Sequence, residues 1–284
     1  MLRFVLQRVL VASVRFLAVA GGLLLLTEVS FSFLGGARGH AWDFDPAAPP
    51  PAELASPGTT WGGLLAERGW ASARVLFLAT SATLLVGYAW GILGARFRRQ
   101  RLPRLLAAPF AALACAPGFW LVALVAVFSY FRWQRPGFAD DLLLEETLPL
   151  MAWWNAAVVA LPAAVAGISW QILAVSRIIE GETSAPWLRG LFVAGVTEEA
   201  IFYRHALRRA RPALLALADT GLPATMGALV VLEPAFRFPG MGSLLVEGVK
   251  QGHAPAVFAV SLCFVGVATG ATLLRELLAP ASVR

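Results

Sequence analysis

The residues with the most chemical content lie between 198 and 211, where EEAIFYRHALRRAR brings two acids and four arginines together. Arg204, Arg208 and Arg211 recur at i, i+4 and i+7, so on a helix they make one basic stripe. Such a stripe offers anion and headgroup contact, not bond-making. Two further acids, Glu28 and Asp219, fall inside apolar runs. A carboxylate in an apolar run that crosses lipid is costly and marks a candidate functional position facing an interior, such as a polar path between helices. The competing readings are snorkelling for Glu28, near the outer end of its run, and a helix–helix hydrogen bond for Asp219. The histidines His40, His205 and His253 lack metal-ligand spacing, and Cys115 and Cys263 sit alone in apolar runs. GxxxxGK[ST], HExxH and GxSxG are missing. The sequence therefore predicts no catalytic set, no metal, no cofactor and no ATP binding by this chain itself.

The elements that must position these residues are apolar. Of 284 residues, 58% are hydrophobic and 14% charged, against roughly 25% charged in a soluble domain. The mean hydropathy is +0.71. Runs of about 20 apolar residues recur, the length that crosses a hydrocarbon core, and in lipid such runs must be helices. An all-α polytopic membrane protein follows, with six spans at Arg15–Leu34, Ala73–Ala95, Leu105–Phe131, Leu148–Leu173, Ala213–Leu232 and Pro255–Leu277. The N-terminal MLRFVLQRVL resembles a signal peptide, but the run from Phe16 to Leu34 is longer than an ordinary h-region. That favours a retained first span.

Sixteen basic residues fall on one side of these spans and seven on the other, which places both termini in the cytoplasm. The net charge of +6 then belongs to basic loops at a membrane face and not to nucleic-acid binding. Outside lie 37–72, read as an irregular loop rich in Pro, Gly and Trp, and also 132–147 and 234–254. Gly87/Gly91 and Gly266/Gly270 are GxxxG pairs, which let helix backbones approach closely.

The longest cytoplasmic connection, 176–212, can be parsed by caps. Pro186 suits a first helical turn. Trp187, Leu188, Leu191 and Phe192 then share one apolar face, and Gly195 suits a left-handed stop. Thr197 suits an N-cap, with Glu198 and Glu199 complementing the dipole of a second helix. The loop reads as helix, glycine hinge, helix. The short first helix either lies on the lipid surface or docks into a groove on a cytoplasmic partner.

Here the residues resemble a known family. The stretch AGVTEEAIFYRHALRRARPALL, followed by LVVLEPAFRFPGMGSLL, is similar to the inner-membrane permease subunits of dipeptide, oligopeptide and nickel ABC transporters. Arg204–Pro212 resembles the family's segment after the loop glycine, with Arg209 where Asn is usual. Ala194 stands where the family has Lys, and the C-terminal TGATLLRELLAPASVR lacks the family's Asn and Asp residues. The resemblance extends to PGFWLVALVAVFSY (117–130) and LLVGYAWGILGARFRR (84–99).

The resemblance implies a single transmembrane permease domain over 1–284, with a type I importer-like core at about 70–280. It implies that the region around Gly195, with Trp187, Leu188, Leu191, Phe192, Glu198 and Glu199, couples to an ATPase subunit. Arg204, Arg208 and Arg211 would hold the next helix at headgroup level. Glu233, Pro239, Gly240 and Gly242 form an outer-loop motif, with Glu233 pinning the loop. The implied partners are a second permease, two cytoplasmic ATP-binding subunits, an extracytoplasmic solute-binding protein and membrane lipid, in a bacterial inner membrane. The implied role is peptide import. The alternatives are nickel or another small solute, or a membrane scaffold or sensor without transport.

Overall fold

The computed structural model describes residues 2–34, 58–97 and 149–278, with residues 40, 44–45, 49–51, 54 and 124 between them. Its elements are α1 (Leu2–Leu34), α2 (Trp61–Arg96), α3 (Pro149–Thr183), α4 (Trp187–Val193), α5 (Glu198–Ala200), a π-helical segment (Ile201–Ala206), α6 (Leu207–Ala235), α7 (Met241–Lys250) and α8 (Ala254–Leu278). Glu198–Ala235 runs as one helical rod, and it is one of five helices long and apolar enough to cross a membrane. Apart from residue 124, the predicted span at 105–131 and the segment 132–147 lie outside the described residues.

Several boundaries differ from the sequence reading. The predicted irregular loop ends earlier, because α2 already begins at Trp61. Thr60 caps that start, its hydroxyl accepting the Gly63 N–H at 3.2 Å. Trp61 and Leu64 are then buried with Met241, Leu244, Ala256 and Val260. At 36 residues, α2 is about 54 Å long, well beyond the ~30 Å of hydrocarbon, so part of it projects past the lipid. α3 likewise continues to Thr183, past the predicted end at Leu173. The outer segment 234–254 is not all loop, since it holds α7.

The core sits between α2, α3 and α6. Val75 and Ala79 meet Ala156, Val159, Ala160 and Ala163, closed by Leu229, Leu232 and Phe238. Small residues make this approach close, as expected where lipid supplies no hydrophobic drive between helices. A Cβ on Gly91 would come within 2.6 Å of Val175 Cβ, and one on Gly87 within 2.7 Å of Gln171 Cβ. The first GxxxG pair is thus a packing seam. The second is not a pair in that sense: Gly266 faces Phe16 at ordinary contact, and Gly270 faces open space.

α1 packs beside α8. Arg8 Nη1 lies 2.9 Å and Arg15 Nη1 3.5 Å from the Glu276 carboxylate, so the start of α1 and the end of α8 sit at the same end of the bundle. Leu17, Leu25, Leu85, Leu161 and Val231 remain exposed, the pattern of a surface whose solvent is lipid.

Candidate functional site

The functional candidates gather at the two ends of the Glu198–Ala235 rod. At the N-terminal end of the rod, α4 is closed by a glycine-based cap. Gly195 has φ +79°. Its N–H donates to the Phe192 carbonyl at 3.1 Å, and the Val196 N–H donates to the Leu191 carbonyl at 3.1 Å. This bond pair defines a Schellman cap, and it satisfies carbonyls that the helix end would leave open. Thr197 then caps the rod, its hydroxyl accepting the Ala200 N–H at 3.4 Å. The helix, glycine turn and capped second helix read from the sequence are all present. The second helix, however, does not stop before the membrane. It passes through the π segment directly into α6.

The apolar face of α4 divides. Phe192 and Val193 are 54% and 89% exposed, and Trp187 is partly exposed, whereas Leu188 is 2% exposed. Leu188 therefore anchors α4 to its own chain and leaves the outward face to Phe192 and Val193. Leu191 is half-buried between them. Val193 was missed because, six residues after Trp187, it falls outside the i, i+1, i+4, i+5 spacing that defined the face.

Ionic contacts tie this loop to the bundle. Arg96, at the end of α2, reaches Glu198 at 3.5 Å and Glu199 at 3.8 Å, and its guanidinium lies over the Phe202 ring. Both acids are largely exposed, so these pairs are worth well under ~1 kcal/mol each. They set geometry more than stability. Arg209 reaches Glu182 at 3.3 Å and stacks over Trp187 at 5.2 Å. Arg204, Arg208 and Arg211 are exposed, as a surface stripe requires. Arg96, Glu182 and Arg209 carried no sequence signal for these partnerships, because the pairing is tertiary.

At the C-terminal end of the rod stands a buried polar lock. Glu233 is fully buried. One carboxylate oxygen accepts from the Ser72 hydroxyl at 2.6 Å. The other accepts the N–H of Gly242 at 2.6 Å and of Ser243 at 3.3 Å. Those N–H groups open α7, where unpaired donors and the helix dipole favour an anion. Ser72 in turn accepts the Met241 N–H at 2.7 Å, and the Ser243 hydroxyl accepts the Gly240 N–H at 3.1 Å. The lock thus joins α2, α6 and α7.

The intervening FPGMG motif has the residues this closeness demands. A Cβ on Gly240 would land on the Glu233 carboxylate, and one on Gly242 would come within 2.7 Å of the Leu229 carbonyl. Pro239 is partly buried beside them. Arg237 holds φ +52°, and the following Phe238 N–H closes onto the Glu233 carbonyl at 2.8 Å while its ring enters the core. Pinning by Glu233 was read from sequence. Ser72 and Ser243 were not, since Ser72 lies 161 residues away in the chain.

The intramembrane acids separate. Glu28 lies 3.2 Å from the ring of His40, a contact near the C-terminal end of α1. Asp219 stands in α6, its side chain outside the described residues. Leu222 and Met226, at i+3 and i+7 from it, line an apolar cavity of about 360 Å³ between α2, α6 and α8, with Thr80 and Ser81 among its few polar groups.

Comparison with known proteins decides the family. The family described as "binding-protein-dependent transport system inner membrane component" matches residues 87–284.

The chain belongs to this family. It is accordingly a multi-pass inner-membrane protein, in line with its five described membrane-length helices. Among similar proteins is one described as a peptide permease from Brucella ovis, 24% identical over 72% of this chain and 64% of its own length. A peptide transport system permease protein of Brucella abortus is 27% identical over 68% of this chain and 61% of its own length. A glutathione transport system permease protein of Escherichia coli K12 is 27% identical over 64% of this chain and 56% of its own length. The chain spans less than two thirds of the length of each of these relatives.

Proposed function

We propose that this inner-membrane component is the permease subunit of an ABC importer for peptides. It would provide half of the substrate pathway, paired with a second permease subunit. Two cytoplasmic ATP-binding subunits and an extracytoplasmic solute-binding protein would complete the system. The observation that carries the reading is the family match, joined to a short helix with an exposed aromatic edge next to a glycine cap. Helix-in-groove docking uses such an edge. The peptide assignment is supported by the names of the similar proteins from Brucella.

In this mechanism the ATP-binding subunits hold Phe192 and Val193 in a cleft. Closing of those subunits displaces α4, and the Thr197-capped rod carries the displacement into α6. Leu188 and the stacking of Arg209 over Trp187 keep α4 tied to the bundle during that movement. The pathway then changes sides as a population shift between two states, driven by differential binding of nucleotide and substrate. Asp219 and the neighbouring cavity would border the path, and both termini would be cytoplasmic.

The test is reconstitution of the complete complex in vesicles, followed by uptake of di- to octapeptides, glutathione and nickel ions with ATP supplied at the ATPase face. ATP-dependent peptide uptake is expected. Uptake of metal ion alone would replace the peptide assignment, and no ATP-dependent uptake of any solute would overturn the transport reading.

A further inference from the structure

Beside α4 the protein forms a basic cleft that docking does not use. Trp187, Arg204, His205, Arg208 and Arg209 line a space of about 440 Å³. Arg209 is engaged by Glu182 and stacked on Trp187. Arg204 and Arg208 are exposed, and among the described residues neither has an ion pair. Among the described residues, three arginines set against the single Glu182 carboxylate leave two positive charges without a partner at the cleft.

The depth of this cleft is set by α6. From Arg204 and Arg208 to Glu233 the rod rises over 29 and 25 residues, about 44 and 38 Å, against ~40–45 Å for a bilayer with its headgroup regions. With Glu233 at one surface, these arginines stand at the other, among headgroups. Leu215, two turns from Arg208 towards the layer, is 47% exposed and offers an acyl chain its contact. Trp187 adds an amphipathic ring at the same level, where indoles favour the interface. Basic pockets at the ends of membrane helices suit anionic headgroups.

We propose that this cleft binds the phosphate of an anionic phospholipid, with Arg204 and Arg208 as its ligands and Trp187 at its rim. An acidic protein surface would meet the same arginines. Exposed Leu215, seven residues from Arg208 on the same helix, selects the lipid. The proposal rests on reading this end of α6 as a membrane-surface end, and it is independent of substrate and of ATPase docking.

The experiment is native mass spectrometry of the full-length protein in detergent, titrated with phosphatidylglycerol, phosphatidylcholine or inorganic phosphate. The wild type is expected to retain phosphatidylglycerol in preference to phosphatidylcholine, and inorganic phosphate should not displace it. At about fivefold per charge, Arg204→Gln/Arg208→Gln should weaken retention roughly thirtyfold. Arg204→Lys/Arg208→Lys should recover most of it, which separates charge from misfolding. Lys250→Gln, at the opposite end, and Phe192→Ala, on the docking edge, should bind lipid as the wild type does. Unchanged retention in the Gln pair overturns the proposal. So does displacement by inorganic phosphate, or a Gln pair that keeps the lipid but loses the ATP-binding subunit.

Discussion

Glu233→Gln probes the outer lock with almost no change of shape. The carboxylate accepts three hydrogen bonds, from Ser72 on one oxygen and from the Gly242 and Ser243 N–H groups on the other. An amide has only one oxygen. If its NH2 faces α7, two N–H donors meet a donor. If it faces Ser72, the hydroxyl already accepts from Met241 and its own hydrogen is left to find a new acceptor. Either way at least one charge-assisted bond is lost in a fully buried site, about 1.5–3 kcal/mol, or several degrees in the midpoint of thermal unfolding. The assay is thermal unfolding of the purified protein in detergent, run as a cycle with Ser72→Ala. Because the two side chains touch, the double variant should lose about 0.5–3 kcal/mol less than the sum of the singles. An unchanged midpoint for Glu233→Gln, or singles that add within about 0.5 kcal/mol, would refute the lock.

Three further outcomes are expected. Gly91→Leu should cut the yield of folded protein, since its Cβ must displace Val175 in a packed seam, whereas Gly270→Leu, facing open space, should express normally; equal yields would contradict the seam. Phe192→Ala should weaken capture of the ATP-binding subunit roughly thirtyfold if the ring is a central anchor, and Gly195→Val should uncouple ATP hydrolysis from transport because a β-branched residue resists positive φ; full binding and coupling in both variants would leave α4 as a surface helix only. A reporter active only outside the cytoplasm, fused after Arg284, should stay silent, given the 16 to 7 asymmetry of basic residues; a strong signal would invert the topology.

Much of the inner end was legible because its determinants are local. Pro186, Gly195 and Thr197 act on backbone groups within a few residues, so their types announce a start, a left-handed stop and a cap. The burial of Leu188 was not legible. One side of a seven-residue helix must meet something, but only the neighbouring helices decide which side. The early start of α2 was hidden by Glu67 and Arg68, which depress hydropathy without breaking a helix. The cap at Thr60 was the available clue.

The sequence by itself determined that the chain crosses the membrane as helices, since apolar length and the need to satisfy backbone groups in lipid leave no other form. Charge asymmetry and the caps around Gly195 followed from the same short-range physics. Only the tertiary structure decided which polar groups share a site. Ser72 joins Glu233, Arg96 joins Glu198, and Arg209 joins Glu182 and Trp187. Each of these pairings depends on how the helices pack side by side, and helix packing is set by close contacts such as Gly91 on Val175, between residues far apart in the chain.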